Sequence, residues 1–132
     1  MERIGLMLGY FDPIHLGHLA MAQDAQKVYR LDAVYLCPLP ESPEYAPVLN
    51  LKKRRKLILK CVSDKIKLYP DIIPLSADSL LIEVLSLVQK RHNDAAVFPI
   101  MGMDRLNRIT DFAGIYSIPA VKALIVYSRI GY

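Results

Sequence analysis

A parallel α/β sheet covered by helices on both faces is the fold class this sequence predicts, on three observations. Short apolar runs recur at Ile4-Gly5-Leu6-Met7-Leu8, Ala33-Val34-Tyr35-Leu36-Cys37 and Ala95-Ala96-Val97-Phe98-Pro99-Ile100-Met101, as strands buried on both faces require. Helical patterns alternate with these runs, which implies βαβ units with right-handed crossovers. The first run opens through Gly9-Tyr10-Phe11-Asp12-Pro13-Ile14-His15-Leu16-Gly17-His18 into a helical pattern, so a buried strand, a Gly/Pro turn and a helix N-terminus follow in sequence.

The elements run as follows. Ile4–Leu8 is the first strand, ended by Gly9. Leu16–Tyr29 is a helix, with Leu19, Ala22, Gln26 and Tyr29 along one side. Ala33–Cys37 is the second strand, stopped by Pro38. Pro38, Pro40, Pro43 and Pro47 make an irregular segment reaching Asn50, long enough to suggest a functional loop. Asn50 caps a helix over Leu51–Val62, whose polar face carries Lys52, Lys53, Arg54, Arg55 and Lys56. Ile72–Leu75 is a weak third strand after Pro70. A helix from Ser79 to Arg91, a strand over Ala95–Met101, a short helix over Asp111–Ser117 and a last strand over Val121–Tyr127 complete the chain.

Length and composition narrow the function classes. The 132 residues make one domain, residues 1–132, without a repeat or linker. At 53% hydrophobic residues the bulk of the chain is not disordered. Seventeen Lys and Arg against 13 Asp and Glu give +4, which suits an enzyme of anionic small molecules and is too slight to argue for nucleic acid. Tyr35, Tyr45, Tyr69, Tyr116 and Tyr127 lack the basic interleaving of a single-strand binder. Cys37 and Cys61 read as buried free thiols of a reducing compartment. No apolar stretch reaches the roughly 20 residues a membrane span needs, so no membrane partner is expected, and cytoplasm is the expected compartment.

The chemistry concentrates in Gly9–His18. In α/β sheets, ligands collect beyond the carboxyl ends of the strands, and the strand before Gly102-Met103-Asp104 opens toward the same crevice if it neighbours the first. His15 and His18 sit at a helix start, where backbone N–H groups and the dipole favour an anion. Gly17 is expected to let the backbone turn tightly so that the two rings converge, and Asp12 to accept backbone N–H bonds within the turn. Two imidazoles donating to phosphate oxygens would stabilise charge building up during in-line attack on phosphorus. A phosphate nucleophile is already ionised and needs no general base. A lone helical histidine is usually an ordinary surface residue; two flanking a glycine after a strand and a Phe-Asp-Pro turn are not. Zinc is not expected, because His15, His18 and Asp12 lack a fourth ligand.

These residues resemble the first motif of the nucleotidylyltransferase superfamily, and the His-Leu-Gly-His form after Phe-Asp-Pro most resembles the bacterial nicotinate-mononucleotide adenylyltransferase family. Later segments carry the likeness along the chain: Arg54-x-x-Leu57 with Ser63-Asp64, Ser79–Leu85, Gly102-x-Asp104-x-Leu106, Phe112 where a tryptophan is usual, and Arg129-Ile130-Gly131-Tyr132. The resemblance implies a Rossmann-like, doubly wound five-stranded parallel sheet of order 3-2-1-4-5, without the family's C-terminal helices. It implies adenylyl transfer from ATP to nicotinate mononucleotide in NAD biosynthesis, with Mg²⁺ entering with ATP and an oligomer compatible with the family. His15 and His18 would be catalytic. Gly9, Tyr10, Phe11, Asp12, Gly17, Arg54, Gly102, Asp104 and Arg129 would bind nucleotide, and Phe112 would face the pyridine ring.

The sequence also departs from the family. Leu8 and Tyr10 replace small residues around Gly9, and Ser42-Pro43-Glu44-Tyr45 stands where a Pro-His-Lys element is usual. No Ser-Ser/Thr-x-x-Ile/Val-Arg motif for the outer phosphates is present. Two alternatives follow: a cytidylyltransferase acting on a small phosphorylated alcohol, or a non-catalytic nucleotide-binding remnant.

Overall fold

The computed structural model describes residues 1–41, 46–71, 80–107 and 109–128. Its strands are β1 (Glu2–Gly9), β2 (Ala33–Pro38), β3 (Ile66–Leu68), β4 (Ala95–Gly102) and β5 (Ile125–Tyr127). Its helices are α1 (Leu16–Val28), α2 (Leu51–Leu59), α3 (Leu80–Arg91), α4 (Met103–Leu106) and α5 (Phe112–Tyr116). The five strands form one sheet in the order β3-β2-β1-β4-β5, and every pairing is parallel. The expected doubly wound sheet is present, with β1 at its centre.

Strand alternation divides the core into two layers. Leu6 and Leu8 of β1, Cys37 of β2 and Val97 of β4 pack with Val84, Leu85 and Val88 of α3 and Ile115 of α5. Met7, Leu36, Phe98 and Ile100 turn to the other face, against Ala22 and Ala25 of α1 and Ile58 of α2. The small residues of α1 let it approach β1 closely. Gly5 serves the same layer: a Cβ there would lie 2.8 Å from the end carbons of both Ile100 and Leu31. No helix among the described residues is long and apolar enough to cross a membrane.

Several boundaries differ from the sequence expectation. The third strand is Ile66–Leu68, where buried Ile66 alternates with exposed Lys67 as an edge strand demands; the expected strand Ile72–Leu75 lies outside the described residues. Helix α2 stops at Leu59, three residues short of Val62, with Lys60 as its C-cap. Only Cys37 is a buried thiol, because Cys61 follows the end of α2 and is half-buried. The last strand shrinks to Ile125–Tyr127, and Val121 makes only an isolated bridge to Val97. Pro99 accounts for the gap. Val97 exchanges hydrogen bonds with Ala120 and Lys122, and position 99 faces the same side but has no N–H to offer.

Burial sets a pH limit on this core. It pushes the Cys37 thiol from 9.0 up to about 12, and the Tyr69 phenol from 10.0 up to about 12, in each case with nearby Asp71 adding to the rise. Both groups are held neutral inside the fold, whereas the unfolded chain ionises them sooner. Their contribution to stability is therefore complete below pH 9.0 and is lost as pH rises toward about 12. Urea midpoints are expected to hold between about pH 7 and about pH 8 and to fall from about pH 9 to about pH 11. A flat profile would refute the assignment.

Candidate active site

Helix α1 begins with a reciprocal cap built from two histidines. His15 is the N-cap, with extended φ −141° and ψ 176°. The amides of Gly17 and His18 donate to its Nδ1 at 3.0 and 3.3 Å, and the His15 amide donates back to Nδ1 of His18 at 3.1 Å. This has the logic of a capping box, with imidazole in both places usually held by a hydroxyl and a carboxylate. An Nδ1 that accepts from an amide carries no proton, so each neutral ring bears its hydrogen on Nε2. The rings stack with centroids 3.6 Å apart and planes 18° from parallel. His15 is exposed and His18 half-buried, so neither is turned into the core. The pair thus stands at the positive end of a 13-residue helix, with Nδ1 of each ring engaged by backbone amides.

Gly17 does not act as expected. It lies within the first turn of α1, and helix geometry itself, at i and i+3, brings the rings together. The turn ahead of them is held from elsewhere. Phe11 adopts a left-handed φ of 48°, unusual for a bulky residue, and its buried ring meets His18 edge-on at 4.9 Å. Asp12 accepts backbone N–H bonds, among them those of Val48 at 2.7 Å and Leu49 at 2.8 Å, ahead of α2. The Asp12–Pro13 bond is cis. Leu39 donates to the Gly9 carbonyl at 2.8 Å, closing the ends of β1 and β2 together.

Arg54 requires a correction. It was expected on the nucleotide, yet it is completely buried. Its Nη1 donates to the carbonyls of Tyr10 at 2.7 Å and Leu39 at 2.8 Å, and its Nε to the carbonyl of Leu49 at 3.0 Å. It lies on the inner stripe of α2 one turn before Ile58, and that spacing was the available sequence signal. Arg55 reaches the carbonyls of Tyr69 and Pro70, while Lys52, Lys53 and Lys56 remain a solvated face.

The adjacent strand supplies the other wall. Met7 pairs with Ile100, so Gly9 and Gly102, each two residues further on, end neighbouring strands. Gly102 is the N-cap of α4, and Asp104 is exposed in its first turn. Phe112 opens α5 with 40% of its surface exposed, and Asp111 caps that helix through the Gly114 amide at 2.8 Å. Tyr10 is half-buried against the layer that contains α3 and α5. Arg129, with the Arg129–Tyr132 segment, the Ser42–Tyr45 segment and Ser79, lies outside the described residues. A cleft of about 400 Å³ lined by Met1, Gln89, Ala95 and Lys122 opens at the other edge of the sheet, where β1 and β4 begin. It is remote from the histidines. Among the described residues, no group of three or more His, Cys, Asp or Glu is placed to hold a metal ion.

The cap itself is testable without a ligand. His15→Ala should cost about 1 kcal/mol in chemical denaturation, and His15→Asn, whose carboxamide is an excellent N-cap, should recover most of it. An Asn variant no more stable than the Ala variant would show that His15 does not cap α1.

Comparisons with known proteins bear on the family and the fold. Residues 6–129 match a family model described as cytidylyltransferase-like. A protein of Maridesulfovibrio salexigens named "Probable nicotinate-nucleotide adenylyltransferase" is 34% identical over 131 residues, covering 96% of this chain and 61% of its own length. One of the same name from Halalkalibacterium halodurans is 31% identical over 137 residues, covering 99% of this chain and 66% of its own length. The chain therefore spans about three-fifths to two-thirds of the length of these relatives. A solved structure of Plasmodium falciparum nicotinic acid mononucleotide adenylyltransferase complexed with NaAD shares the fold, with a TM-score of 0.71 at 11% identity, over 100% of this chain and 77% of that one. With residues 6–129 of its 132 matched by the family model, the chain belongs to the cytidylyltransferase-like family.

Proposed function

We propose that this chain catalyses adenylyl transfer from ATP to nicotinate mononucleotide, a step of NAD biosynthesis. The observation that carries this reading is the reciprocal cap, which holds both imidazoles at the start of α1, directly after the turn that leaves the carboxyl end of the central strand. The names of the relatives, and the NaAD in the Plasmodium structure, support the choice of substrates.

A phosphate oxygen of the mononucleotide attacks the α-phosphorus of ATP. A P–O bond forms, the α–β bridging bond breaks, and pyrophosphate leaves with its electron pair. His15 and His18 donate hydrogen bonds to the phosphate oxygens on which charge grows, and the N-terminus of α1 adds its dipole. No side chain need remove a proton, because the attacking phosphate is ionised. Magnesium bound with ATP would supply neutralisation of charge on the phosphates. On this reading Gly102, beside Gly9, would let the nucleotide approach, Asp104 would take ribose hydroxyls, and the half-exposed Phe112 would offer a flat face to the pyridine ring. The reading places the protein in the cytoplasm, a reducing compartment in which Cys37 and Cys61 stay free thiols.

Pyrophosphate release should appear with ATP and nicotinate mononucleotide and not with CTP and glycerol phosphate. Release only from the second mixture would sink the proposal in favour of a cytidylyltransferase, and calorimetric nucleotide binding without any release would favour a binding remnant. In the active mixture His18→Ala should lower kcat roughly 10²–10³-fold, the usual effect of removing one preorganised donor. A variant of wild-type turnover would remove His18 from the chemistry.

A further inference from the structure

Two charged side chains cross between the histidine turn and the segment ahead of α2, in opposite directions. Asp12 leaves the turn to accept from the amides of Val48 and Leu49. Arg54 leaves α2 to donate to the carbonyls of Tyr10, Leu39 and Leu49. Leu49 is thus held through both its amide and its carbonyl, and three chain segments meet on one guanidinium. We propose that Arg54 and Asp12 are positioning residues that fix the imidazole pair for phosphoryl transfer, an inference that rests on the adenylyl-transfer reading above.

The route is short and continuous. Arg54 is fully buried, so it acts on a bound nucleotide only through the protein. It holds the Tyr10 carbonyl, and the next residue, Phe11, keeps a φ of 48° that an L-residue retains only where its surroundings impose it. The Phe11 ring braces His18 at 4.9 Å. Asp12 then pins the other end of the turn, three residues before the amide that donates to Nδ1 of His18. Releasing either anchor lets the turn relax toward negative φ. That movement would shift Phe11, the His15 amide and the orientation of both rings together. A lysine at position 54 cannot replace the planar fork, because a single ammonium does not reproduce the divergent Nε and Nη1 directions.

The test uses Arg54→Lys and Asp12→Asn in the full chain, each checked for folding by circular dichroism. Nitrogen-15 spectra of labelled histidine report which ring nitrogen of His15 and His18 carries the proton, with no substrate present. Folded variants are expected to lose the fixed Nε2–H form at both rings. They should lower kcat about 10- to 100-fold with KM changed by less than about threefold, as misplacement of groups acting in the transition state predicts. Wild-type imidazole spectra in a folded variant would overturn the proposal and leave Arg54 a pin for the fold alone. Altered spectra with unchanged kcat would overturn it too. Should Arg54→Lys fail to fold, Asp12→Asn decides, because asparagine keeps the shape and one acceptor oxygen. Should the wild-type chain release no pyrophosphate from any nucleotide pair, the adenylyl-transfer reading fails, and the spectra alone decide whether the two anchors set the rings.

Discussion

The hydrogen bonds between two imidazoles and the first amides of α1 are the constraint on which the site depends. Each helix start leaves amides without intrahelical partners, and here Nδ1 of His15 takes two of them. The return bond from the His15 amide to Nδ1 of His18 closes the cap from the other side. One set of bonds fixes the tautomer of both rings, their stacking and their placement. A hydroxyl–carboxylate box would cap the helix as well, but it would point negative charge at the place where an anion is favoured. Imidazole satisfies the amides with one nitrogen and has a second nitrogen besides, so the residues that begin the helix are also the ones that the proposed reaction would use.

The sheet gives this cap its address. β1 is central, and the chain leaves it toward α1 on one face, while α3 leads into the neighbouring β4 from the other face. A crevice opens where the two directions part, between the ends of β1 and β4. Glycine ends both strands there, at Gly9 and Gly102. The turn between β1 and α1 is too short and too irregular to hold itself. Its left-handed Phe11 and its Asp12 are held by groups some 36 to 44 residues further along the chain. The site is therefore formed by tertiary structure, even though its two donors sit three residues apart.

Much of this was legible in the sequence, for reasons that can be named. Apolar runs bounded by glycine and proline located β1, β2 and β4 to within about two residues, because strands buried on both faces leave an unbroken hydrophobic trace. Edge strands leave less. Ile66–Leu68 is three residues long with one lysine, and its alternation is too brief to register. The split before β5 was hidden because its cause, Pro99, lies in another strand. The histidines were legible because their spacing is local. Arg54 was expected on the nucleotide because it falls on a position of the family motif, beside Lys52, Lys53 and Lys56, which do form a solvated face. What separates Arg54 from them is a set of carbonyls contributed by Tyr10, Leu39 and Leu49, which no local pattern encodes.

The bonds to both Nδ1 atoms also divide the labour that the proposed reaction would ask of the site. Imidazoles held in this way would give direction and pre-set geometry rather than neutralise a triphosphate. On the adenylyl-transfer reading that charge would be met by other means: the N-terminus of α1, equivalent to roughly half a positive charge, magnesium entering with ATP, and the diffuse field of a chain with net charge +4. The exposed lysines of α2 belong to this last category, and their effect falls off over about 8–10 Å in physiological salt. Orientation and neutralisation are thus assigned to different groups. The groups that would orient are the ones that the fold locks by hydrogen bonds, as the proposed in-line reaction would require.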